Sequence, residues 1–461
     1  MNPNRAITGS CIVVALFLCF YGFEREAVWA DEVFTINASR ESWQGMIRTL
    51  LRDSAHPILH TALVKLFGTI FGSSVLVSRI PSILASIGTI LILSRLASLF
   101  PAHRLPIYAA MTFLTVNWHF IYYMRECRAY SLYAMLTCLL LLVFVSPEFK
   151  PLQAFLVSAS LVNTHYFGVF YAIGFCVVVR QRKQAIPVLL GVMTLIPWFA
   201  AVSQQSSFDV RMGLDDLPLP SYREVYFVAA SLASSVRTLV VQACLFPILI
   251  AFCIWALLSK ENLIRYTAAL ALSGPLIGYL LTRWPLEMHV FQFRYYFASQ
   301  VPAMLLLAFG LVRFVPGRVA PALLTLIFAA DVFDTLRYHA GGTRMRFDLV
   351  AADLKTQFAD RGPVYCDEIP TICAPLDFYC DRPCTLPVPE SLDSMPDRFL
   401  FVHRPGFVPR NPPLRRIQQA GFRSSPVMTY SRTTFSRSSD AEPPDIVLLE
   451  FTRAIPASGN Q

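Results

Sequence analysis

The strongest constraint on how this chain can fold is a series of long apolar runs separated by short polar connections. A helix needs roughly 20 mostly apolar residues to cross the hydrocarbon core of a bilayer. Only 15% of the residues are charged, whereas an average soluble domain has about 25% charged residues. The chain is therefore predicted to be an α-helical membrane bundle of about eleven spans, not a soluble protein with one large core. The runs lie at 7–23, 79–99, 106–123, 129–145, 152–164, 166–179, 185–202, 236–258, 266–282, 300–314 and 319–336.

The first apolar run has two interpretations: a cleaved signal peptide or a membrane span that stays in the protein. The tripeptide V-W-A at 28–30 resembles a signal-peptidase site. The charged segment 24–26 separates this site from the apolar run, and further apolar runs follow along the chain. These two features favour an uncleaved first span.

The net charge of +9 first suggests nucleic acid as a partner. The basic residues are scattered between the apolar runs and form no single stripe, so we predict no nucleic-acid binding. In a membrane protein, an excess of Lys and Arg instead marks the cytoplasmic connections. Alternate connections carry this excess and only Glu148 and Glu261 oppose it, which predicts a cytoplasmic amino terminus and an external carboxyl terminus. The basic connections lie near 100–105, 146–151, 180–184, 259–265 and 313–318.

Residues 24–78 form the first outer connection in this topology, and two parts of it have helical patterns. In 42–52, apolar side chains such as Met46 and Leu50 recur at helical spacing, as in a helix lying in the membrane interface. Residues 57–71 are apolar but short for a span, which favours an interfacial or re-entrant helix. A membrane crossing by this segment would invert every later span, and the charge pattern argues against that.

The composition changes near residue 337, which predicts a membrane domain at 1–336 and a small external α/β domain at 337–461. The second part is polar and rich in proline and arginine. Three short stretches in it have the pattern of strands, at 363–366, 399–403 and 446–451. The same part contains four clustered cysteines, Cys366, Cys373, Cys380 and Cys384. In an oxidising compartment four cysteines predict two disulfides with three pairings open, and no histidine pair or C-x-x-C pair favours zinc instead.

Ionisable side chains gather at the predicted outer ends of the spans, and charge near hydrocarbon is costly enough to mark candidate functional sites. Asp31 and Glu32 follow the first span, and a carboxylate partly buried at the membrane surface can act as a general base. Taken alone, such a pair is more often a solvated acidic loop. Asp53 and His56 precede Pro57 at the start of the short helix, a pattern that is also typical of an ordinary helix cap.

Two segments rich in arginine and tyrosine, 122–131 and 293–296, also lie at the predicted outer ends of spans. Their guanidiniums can hold phosphate oxygens through paired hydrogen bonds. Tyrosine and arginine also serve as interfacial anchors, and both interpretations stay open on this pattern. His165 lies at the same depth, where a lone histidine is more often structural than catalytic. The arginines of these segments are Arg125, Arg128 and Arg294.

Five short motifs follow one another along the chain: W-A-D-E-x-F-T at 29–35, H-P-x-L at 56–59, F-G-x-S-x-x-x-x-R-x-P-S at 71–82, R-E-C-R-A-Y-S at 125–131 and F-R-Y-Y at 293–296. In this order they resemble the GT-C membrane glycosyltransferases. Within that superfamily the chain looks like the bacterial family-39 proteins, relatives of the dolichyl-phosphate-mannose protein mannosyltransferases and of the lipid A aminoarabinose transferase. The resemblance covers about residues 1–310 and is densest from 29 to 131.

The resemblance implies a GT-C-like bundle and assigns roles to the clustered residues. Asp31 would be the catalytic carboxylate, with Glu32 beside it, and His56 takes the place of a basic residue near the lipid phosphate. Two departures, Ile58 in place of a second proline and Cys127 within R-E-C-R, leave the charged residues in place. Further phosphate partners would be Arg125, Arg128 and Arg294. Other site candidates are Asp53, Glu126, His165 and Tyr295.

The reaction that the resemblance implies is transfer, with inversion, of a sugar from a polyprenyl-phosphate donor. The acceptor would lie at the outer face of the bacterial inner membrane and stays open between protein, lipid A and another glycan. Membrane lipids are the other predicted partners. A lipid-linked sugar flippase is the competing hypothesis, but it needs polar residues deep within the spans, where this chain is mostly apolar. A polysaccharide ligase or polymerase is a third alternative.

The sequence requires no cofactor, and a divalent metal stays an open possibility. Asp31, Glu32, His56 and His165 can contribute ligands to such a metal. No motif with metal-ligand spacing brings them together along the chain, so the sequence predicts no metal site.

Overall fold

The computed structural model is mainly helical, with one small sheet in the carboxyl-terminal part. It describes residues 3–23, 26–54, 56–179, 181–204, 222–233, 239–283, 292–341, 346–366, 372–380, 385–389, 391–403, 413–430 and 446–453. The helices are α1 (Pro3–Phe20), α2 (Ala30–Arg40), α3 (Trp43–Asp53), α4 (Leu59–Phe71), α5 (Val75–Leu99), α6 (Arg104–Val116), α7 (Trp118–Met124), α8 (Tyr130–Val145), α9 (Pro151–Thr164), α10 (Gly168–Val178), α11 (Arg182–Met193), α12 (Ile196–Ser203), α13 (Tyr222–Ala233), α14 (Leu239–Leu257), α15 (Asn262–Arg283), α16 (Gln300–Phe314), α17 (Val319–Gly341), α18 (Phe347–Thr356), α19 (Cys373–Tyr379) and α20 (Pro413–Gln419). The strands are β1 (Val364–Cys366), β2 (Leu386–Pro387), β3 (Arg398–His403), β4 (Phe422–Tyr430) and β5 (Ile446–Arg453). Short 3₁₀ segments lie at Pro101–His103, Phe293–Ser299 and Leu392–Ser394.

Each predicted apolar run coincides with one helix or a pair of helices in the structure. Other apolar helices have only 10–17 residues, so the predicted count of about eleven spans stays a prediction. The long helices indicate a multi-pass membrane protein. Among the described residues, five helical stretches are long and apolar enough to cross a membrane: Val75–Leu99, Arg182–Ser203, Asn262–Thr282, Phe293–Phe314 and Val319–His339.

Two of the predicted runs are divided into pairs of helices for local reasons. The run 106–123 breaks at Asn117, whose side-chain oxygen accepts hydrogen bonds from the first backbone N–H groups of α7. The run 185–202 breaks before α12, which has Pro197 in its first turn, where the missing N–H of proline costs no hydrogen bond. The sequence patterns did not predict α2 or α13.

The two helices predicted in the first connection are present as α3 and α4. Ser42 caps the start of α3 by accepting a hydrogen bond from the Gly45 N–H. Met46 and Leu50 are buried, as the pattern predicts for an amphipathic helix. With 13 residues, α4 is only about 20 Å long, shorter than the roughly 30 Å of hydrocarbon that a span must cross.

The helices of the first compact unit, Met1–Tyr21 with Thr35–Leu336, pack mainly through neighbouring pairs. α5 lies against α4, α6 and α8, while α10 lies against α15. Gly174 of α10 faces Ser273 of α15 at a distance that leaves no space for a larger side chain. Small residues at such a contact allow membrane helices to approach closely.

The second unit, Gly22–Phe34 with Arg337–Gln461, contains the sheet, whose strand order is β2-β1-β3-β5-β4. β1 pairs in parallel with β2 and β3, whereas β5 pairs antiparallel with β3 and β4. Side chains along β3 alternate between two apolar cores, with Phe399 and Phe401 in one and Leu400 in the other. The predicted strands are present as β1, β3 and β5, whereas β2 and β4 were not predicted.

One disulfide of this unit joins Cys366 at the end of β1 to Cys373 at the start of α19. Cys380 is also disulfide-bonded, and Cys384 lies outside the described residues. At the other end of α19, the Tyr379 hydroxyl accepts a hydrogen bond of 2.6 Å from the Val28 N–H. The segment that precedes α2 is therefore anchored within the same unit as the sheet.

Candidate active site

Arg128 is the centre of a buried polar group in the turn between α7 and α8. The residue is only 5% exposed. Nη1 donates to the Thr35 hydroxyl at 3.2 Å and Nη2 donates to His56 Nε2 at 2.7 Å. The Arg128 carbonyl accepts a hydrogen bond from the Ser82 hydroxyl of α5 at 3.1 Å. Residues from three other segments thus fix both the backbone and the guanidinium of this arginine.

His56 lies in the tight turn between α3 and α4. Ser54 ends α3 in the left-handed conformation, with φ of 53°, an uncommon conformation for a residue with a side chain. The Tyr166 hydroxyl donates to the Ser54 carbonyl at 3.0 Å and accepts from Trp198 Nε1 at 3.0 Å. Asp53 Oδ2 lies 4.0 Å from His56 Nδ1. The α9–α10 connection and α12 therefore fix the Ser54 carbonyl, two residues before His56.

His165, in the connection between α9 and α10, lies next to His56. The two rings meet edge to face with centroids 6.1 Å apart, and His165 stacks on Tyr133 at 4.9 Å. His165 Nδ1 accepts a hydrogen bond of 3.2 Å from the Phe167 N–H. A neutral ring that accepts at Nδ1 carries its proton on Nε2, so the backbone selects one tautomer. Thr35, His56, Arg128 and His165 are called the Arg128 cluster below.

The electrostatic environment of the Arg128 cluster keeps nearby histidines neutral. Burial, followed by the positive charge of Arg128, lowers the pKa of His60 from 6.5 to about 3. Burial is the main cause that lowers the pKa of His165 well below its ordinary value of 6.5, and the charges of Arg128 and Arg294 lower it further. Positive potential of this kind opposes further protonation and favours a bound anion.

The predicted pair Arg294 and Tyr295 lies beside His165 in the 3₁₀ segment Phe293–Ser299. The Arg294 guanidinium carbon lies 5.1 Å from the centre of the Tyr295 ring, and Nη2 donates to the Tyr295 hydroxyl at 3.3 Å. The Tyr295 ring centre lies 5.9 Å from that of His165 and 5.4 Å from that of Phe167. The structure therefore brings Asp53, His56, Arg128, His165, Arg294 and Tyr295 into one neighbourhood.

Arg125 and Glu126 are fully buried in the same turn as Arg128. Arg125 and Arg79 both lie near the Cys19 thiol of α1. Glu126 lies near the Tyr123 hydroxyl. Arg125 is therefore close to α1, whereas Arg128, three residues later, donates to Thr35 and His56.

Asp31 and Glu32 lie in the first turn of α2. Glu32 is buried and Asp31 is partly exposed. Thr35, the acceptor for Arg128, follows Asp31 by four residues, and side chains at this spacing lie on the same face of a helix. Beyond the other end of the helix, Lys65 donates to the Ser39 carbonyl at 3.2 Å and to the Glu41 carbonyl. A cation at the carboxyl end of a helix stabilises it through the helix dipole.

Among the residues that the structure describes, no group of three or more His, Cys, Asp or Glu side chains is placed to hold a metal ion. His56 and His165 are neighbours through their rings, and His56 Nε2 and His165 Nδ1 accept the hydrogen bonds given above. The ligand set considered from the sequence thus gains no geometric support among these residues.

Sequence motifs include several residues of this region without assigning them a role: Thr35, Arg79 and Ser82. The spacing of Asp31 and Thr35 on a helix is the signal that identifies Thr35. Tyr133, Tyr166 and Trp198 lie outside the motifs, and their contacts arise only when α8, α10 and α12 pack together. No local pattern predicts such long-range contacts.

No family model matches the sequence, and no curated protein matches it. Solved structures with a similar fold include crystal structures of ArnT from Cupriavidus metallidurans, one bound to undecaprenyl phosphate and one in the apo state. Each is 12% identical to this chain with a TM-score of 0.56. The first similarity covers 98% of this chain and 98% of that chain, and the second covers 95% and 97%. The chain therefore has the fold of these ArnT structures, which is the fold that the resemblance of the motifs implied.

Proposed function

We propose that this chain is an inverting glycosyltransferase that moves a sugar from a polyprenyl-phosphate donor to an acceptor hydroxyl. In this proposal it lies in the bacterial inner membrane, with its amino terminus in the cytoplasm and its site on the outer side. The observation that carries the proposal is the buried Arg128 guanidinium, oriented by Thr35 and His56 in a chain with a GT-C fold. A cation fixed in this way is suited to bind an anionic donor.

The donor phosphate is the anion that the Arg128 cluster binds in this proposal. A guanidinium presents paired N–H groups that match two phosphate oxygens. Arg294, beside His165 through Tyr295, supplies a second cation for the same phosphate. One of the ArnT crystal structures with this fold is bound to undecaprenyl phosphate, which supports a polyprenyl phosphate as the partner class.

Asp31 acts as the general base in the proposed transfer. It takes the proton from the acceptor hydroxyl while the hydroxyl oxygen forms a bond to the anomeric carbon of the sugar. The bond from that carbon to the phosphate oxygen breaks, and its electron pair leaves with the polyprenyl phosphate. Attack opposite the leaving group inverts the anomeric carbon. The phosphate leaves as a stable anion, so Arg128 and Arg294 stabilise developing negative charge and no acid catalyst is needed.

The experiment that tests this proposal follows a sugar-labelled polyprenyl-phosphate donor in proteoliposomes. We expect Asp31→Asn to lower kcat for transfer by about hundredfold or more, because an amide cannot accept the proton, with the KM for donor nearly unchanged. Glu261→Gln is the matched control, since Glu261 is 58% exposed and pairs with His103 far along the chain from the candidate residues. Its activity should equal that of the wild type.

Two results would overturn the proposal in different ways. Full transfer by Asp31→Asn would show that Asp31 is not the general base, although the protein would still be a transferase. Movement of intact labelled donor across the membrane by the wild type, without release of the lipid phosphate, would instead identify a transporter. Which acceptor receives the sugar is read from the labelled product.

A further inference from the structure

The hydrogen bond between Arg128 and His56 determines how the imidazole is protonated. A guanidinium has only donors, so the contact of 2.7 Å between Arg128 Nη2 and His56 Nε2 requires Nε2 to accept. An imidazolium has N–H groups on both nitrogens and cannot accept. His56 is therefore neutral in this arrangement, with its proton on Nδ1, the nitrogen 4.0 Å from the Asp53 carboxylate.

We propose that His56 is a positioning residue, a neutral acceptor that orients the Arg128 guanidinium toward the donor phosphate, and not itself a phosphate-binding cation. This inference rests on the proposed function and changes the role that the family resemblance implies for this position. There a basic residue before proline lies near the lipid phosphate, whereas here the charge comes from Arg128 and the histidine fixes its direction.

The Thr35 hydroxyl, the second acceptor of Arg128, acts together with His56 to orient the guanidinium. Thr35 accepts from Nη1 while His56 accepts from Nη2, so acceptors on two different segments hold the two terminal nitrogens. The guanidinium is planar, so its two fixed terminal nitrogens, together with Nε at the end of the side chain, define its plane. A defined plane lowers the entropy lost when phosphate oxygens bind to the same group.

The groups around His56 are consistent with a neutral ring. Those that face it from the packed elements are Asp53 at the end of α3, His60 on α4, Arg128 before α8 and His165 after α9. A proton on Nε2 would point at the guanidinium from 2.7 Å and break the hydrogen bond. Burial and nearby positive charge favour the neutral forms of His60 and His165, and the Asp53 carboxylate faces Nδ1, which carries a proton in the neutral ring proposed here.

The test uses two substitutions with opposite properties. His56→Gln provides an uncharged acceptor within reach of Arg128 but no charge, and His56→Lys provides a charge but no acceptor. We expect His56→Gln to bind polyprenyl phosphate in detergent within about threefold of the wild-type Kd, and His56→Lys to bind about tenfold to hundredfold more weakly. His103→Gln and His103→Lys are matched controls, because His103 pairs with the Glu261 carboxylate, and should not change the Kd.

Tighter or equal binding by His56→Lys together with weaker binding by His56→Gln would overturn the inference. A measurement on the wild type supports the test if either variant folds poorly. We expect binding of the sugar-bearing donor, whose phosphodiester does not titrate between about pH 8 and 5, not to tighten as the pH falls. A cationic His56 requires the opposite, and tightening would reject a neutral acceptor.

Failure of the inference is distinguishable from failure of the proposed function. If the wild type transfers sugar but His56→Lys binds polyprenyl phosphate more tightly than His56→Gln, the proposed function stands and the inference about His56 is wrong. A wild-type protein that neither transfers sugar nor binds polyprenyl phosphate loses the function itself.

Discussion

Arg128 in the first unit and Arg398 in the second show two ways of holding a guanidinium. The Arg398 side chain is 58% exposed, and its Nε donates to the Glu450 carboxylate at 2.6 Å. Arg128 is 5% exposed and donates to two neutral acceptors, the Thr35 hydroxyl and the His56 ring. The Glu450 carboxylate carries a charge opposite to that of the guanidinium it binds, whereas the Thr35 hydroxyl and the His56 ring accept hydrogen bonds from Arg128 without a charge of their own. In the proposed function, the comparison separates an exposed ion pair from a buried guanidinium that binds the donor phosphate.

Replacement of each arginine by lysine is the strongest test of this comparison. Lysine keeps the charge but cannot place two donors on separate acceptors in one plane. We expect Arg128→Lys to lower kcat/KM for transfer by about hundredfold, because both orienting hydrogen bonds and the paired phosphate contact are lost. Arg398→Lys should change activity less than about twofold, since an exposed ion pair contributes at most about 1 kcal/mol. Equal losses in the two variants would break the comparison.

The two units also differ in how much of them the sequence predicts. In the first connection, the pattern of Met46 and Leu50 predicts α3, because one helical turn alone determines which side chains share a face. In the second unit, β4 was not predicted. Its partner is β5, and a register shift between Pro426 and Met428 interrupts the two-residue alternation that marks a strand. Local periodicity predicts elements, but pairing over a long sequence distance does not follow from it.

The candidate site shows the same division. Motif order alone places His56, Arg128 and Tyr295 among the candidates, and the structure brings them into one neighbourhood. The position of the proton on His56 follows from the hydrogen bond that its Nε2 accepts from Arg128. The hydrogen bond between Trp198 and Tyr166 forms only because α12 packs beside Tyr166. Residue identity predicts that these groups are functional candidates, but only three-dimensional contacts decide whether a histidine acts as a cation or as an acceptor.

The effect of Arg128 on its neighbour His60 gives a second way to sharpen the comparison, through stability against acid. The pKa of His60 is lowered from 6.5 to about 3, chiefly by burial and then by Arg128. The unfolded chain takes up a proton near pH 6.5, whereas the folded protein takes it up only near pH 3. Between these values the unfolded state binds more protons, so the stability that is fully present above pH 6.5 falls as the pH decreases.

The expected size of this effect follows from the linkage between protonation and folding. At pH 5 the difference amounts to about 2 kcal/mol for one buried histidine, since each pH unit below the unfolded pKa costs about 1.4 kcal/mol. Thermal unfolding in detergent between about pH 7 and 5 measures it, with His60→Leu as the variant that cannot titrate. An unchanged acid slope in His60→Leu would mean that His60 is not held neutral in the folded protein.

The smallest expected effect concerns the hydrogen bond between Val28 and Tyr379, which anchors the segment before α2. Asp31 lies three residues after Val28, in the first turn of that helix. Tyr379→Phe keeps the ring and removes the hydroxyl that accepts from the Val28 N–H at 2.6 Å. A hydrogen bond of this kind contributes about 1 kcal/mol, so we expect kcat to fall about fivefold. The KM for donor should not change, because the Arg128 cluster is untouched.

Tyr365→Phe is the matched control for this substitution, since Tyr365 packs against Phe399 on the sheet of the same unit. It should leave kcat unchanged, whereas a loss equal to that of Tyr379→Phe would point to general weakening of the second unit. A positioning role is distinguished from a merely structural one by the split between kcat and KM at unchanged melting temperature. If Tyr379→Phe instead raised KM with kcat intact, the segment before α2 would contribute to donor binding and not to the placement of Asp31.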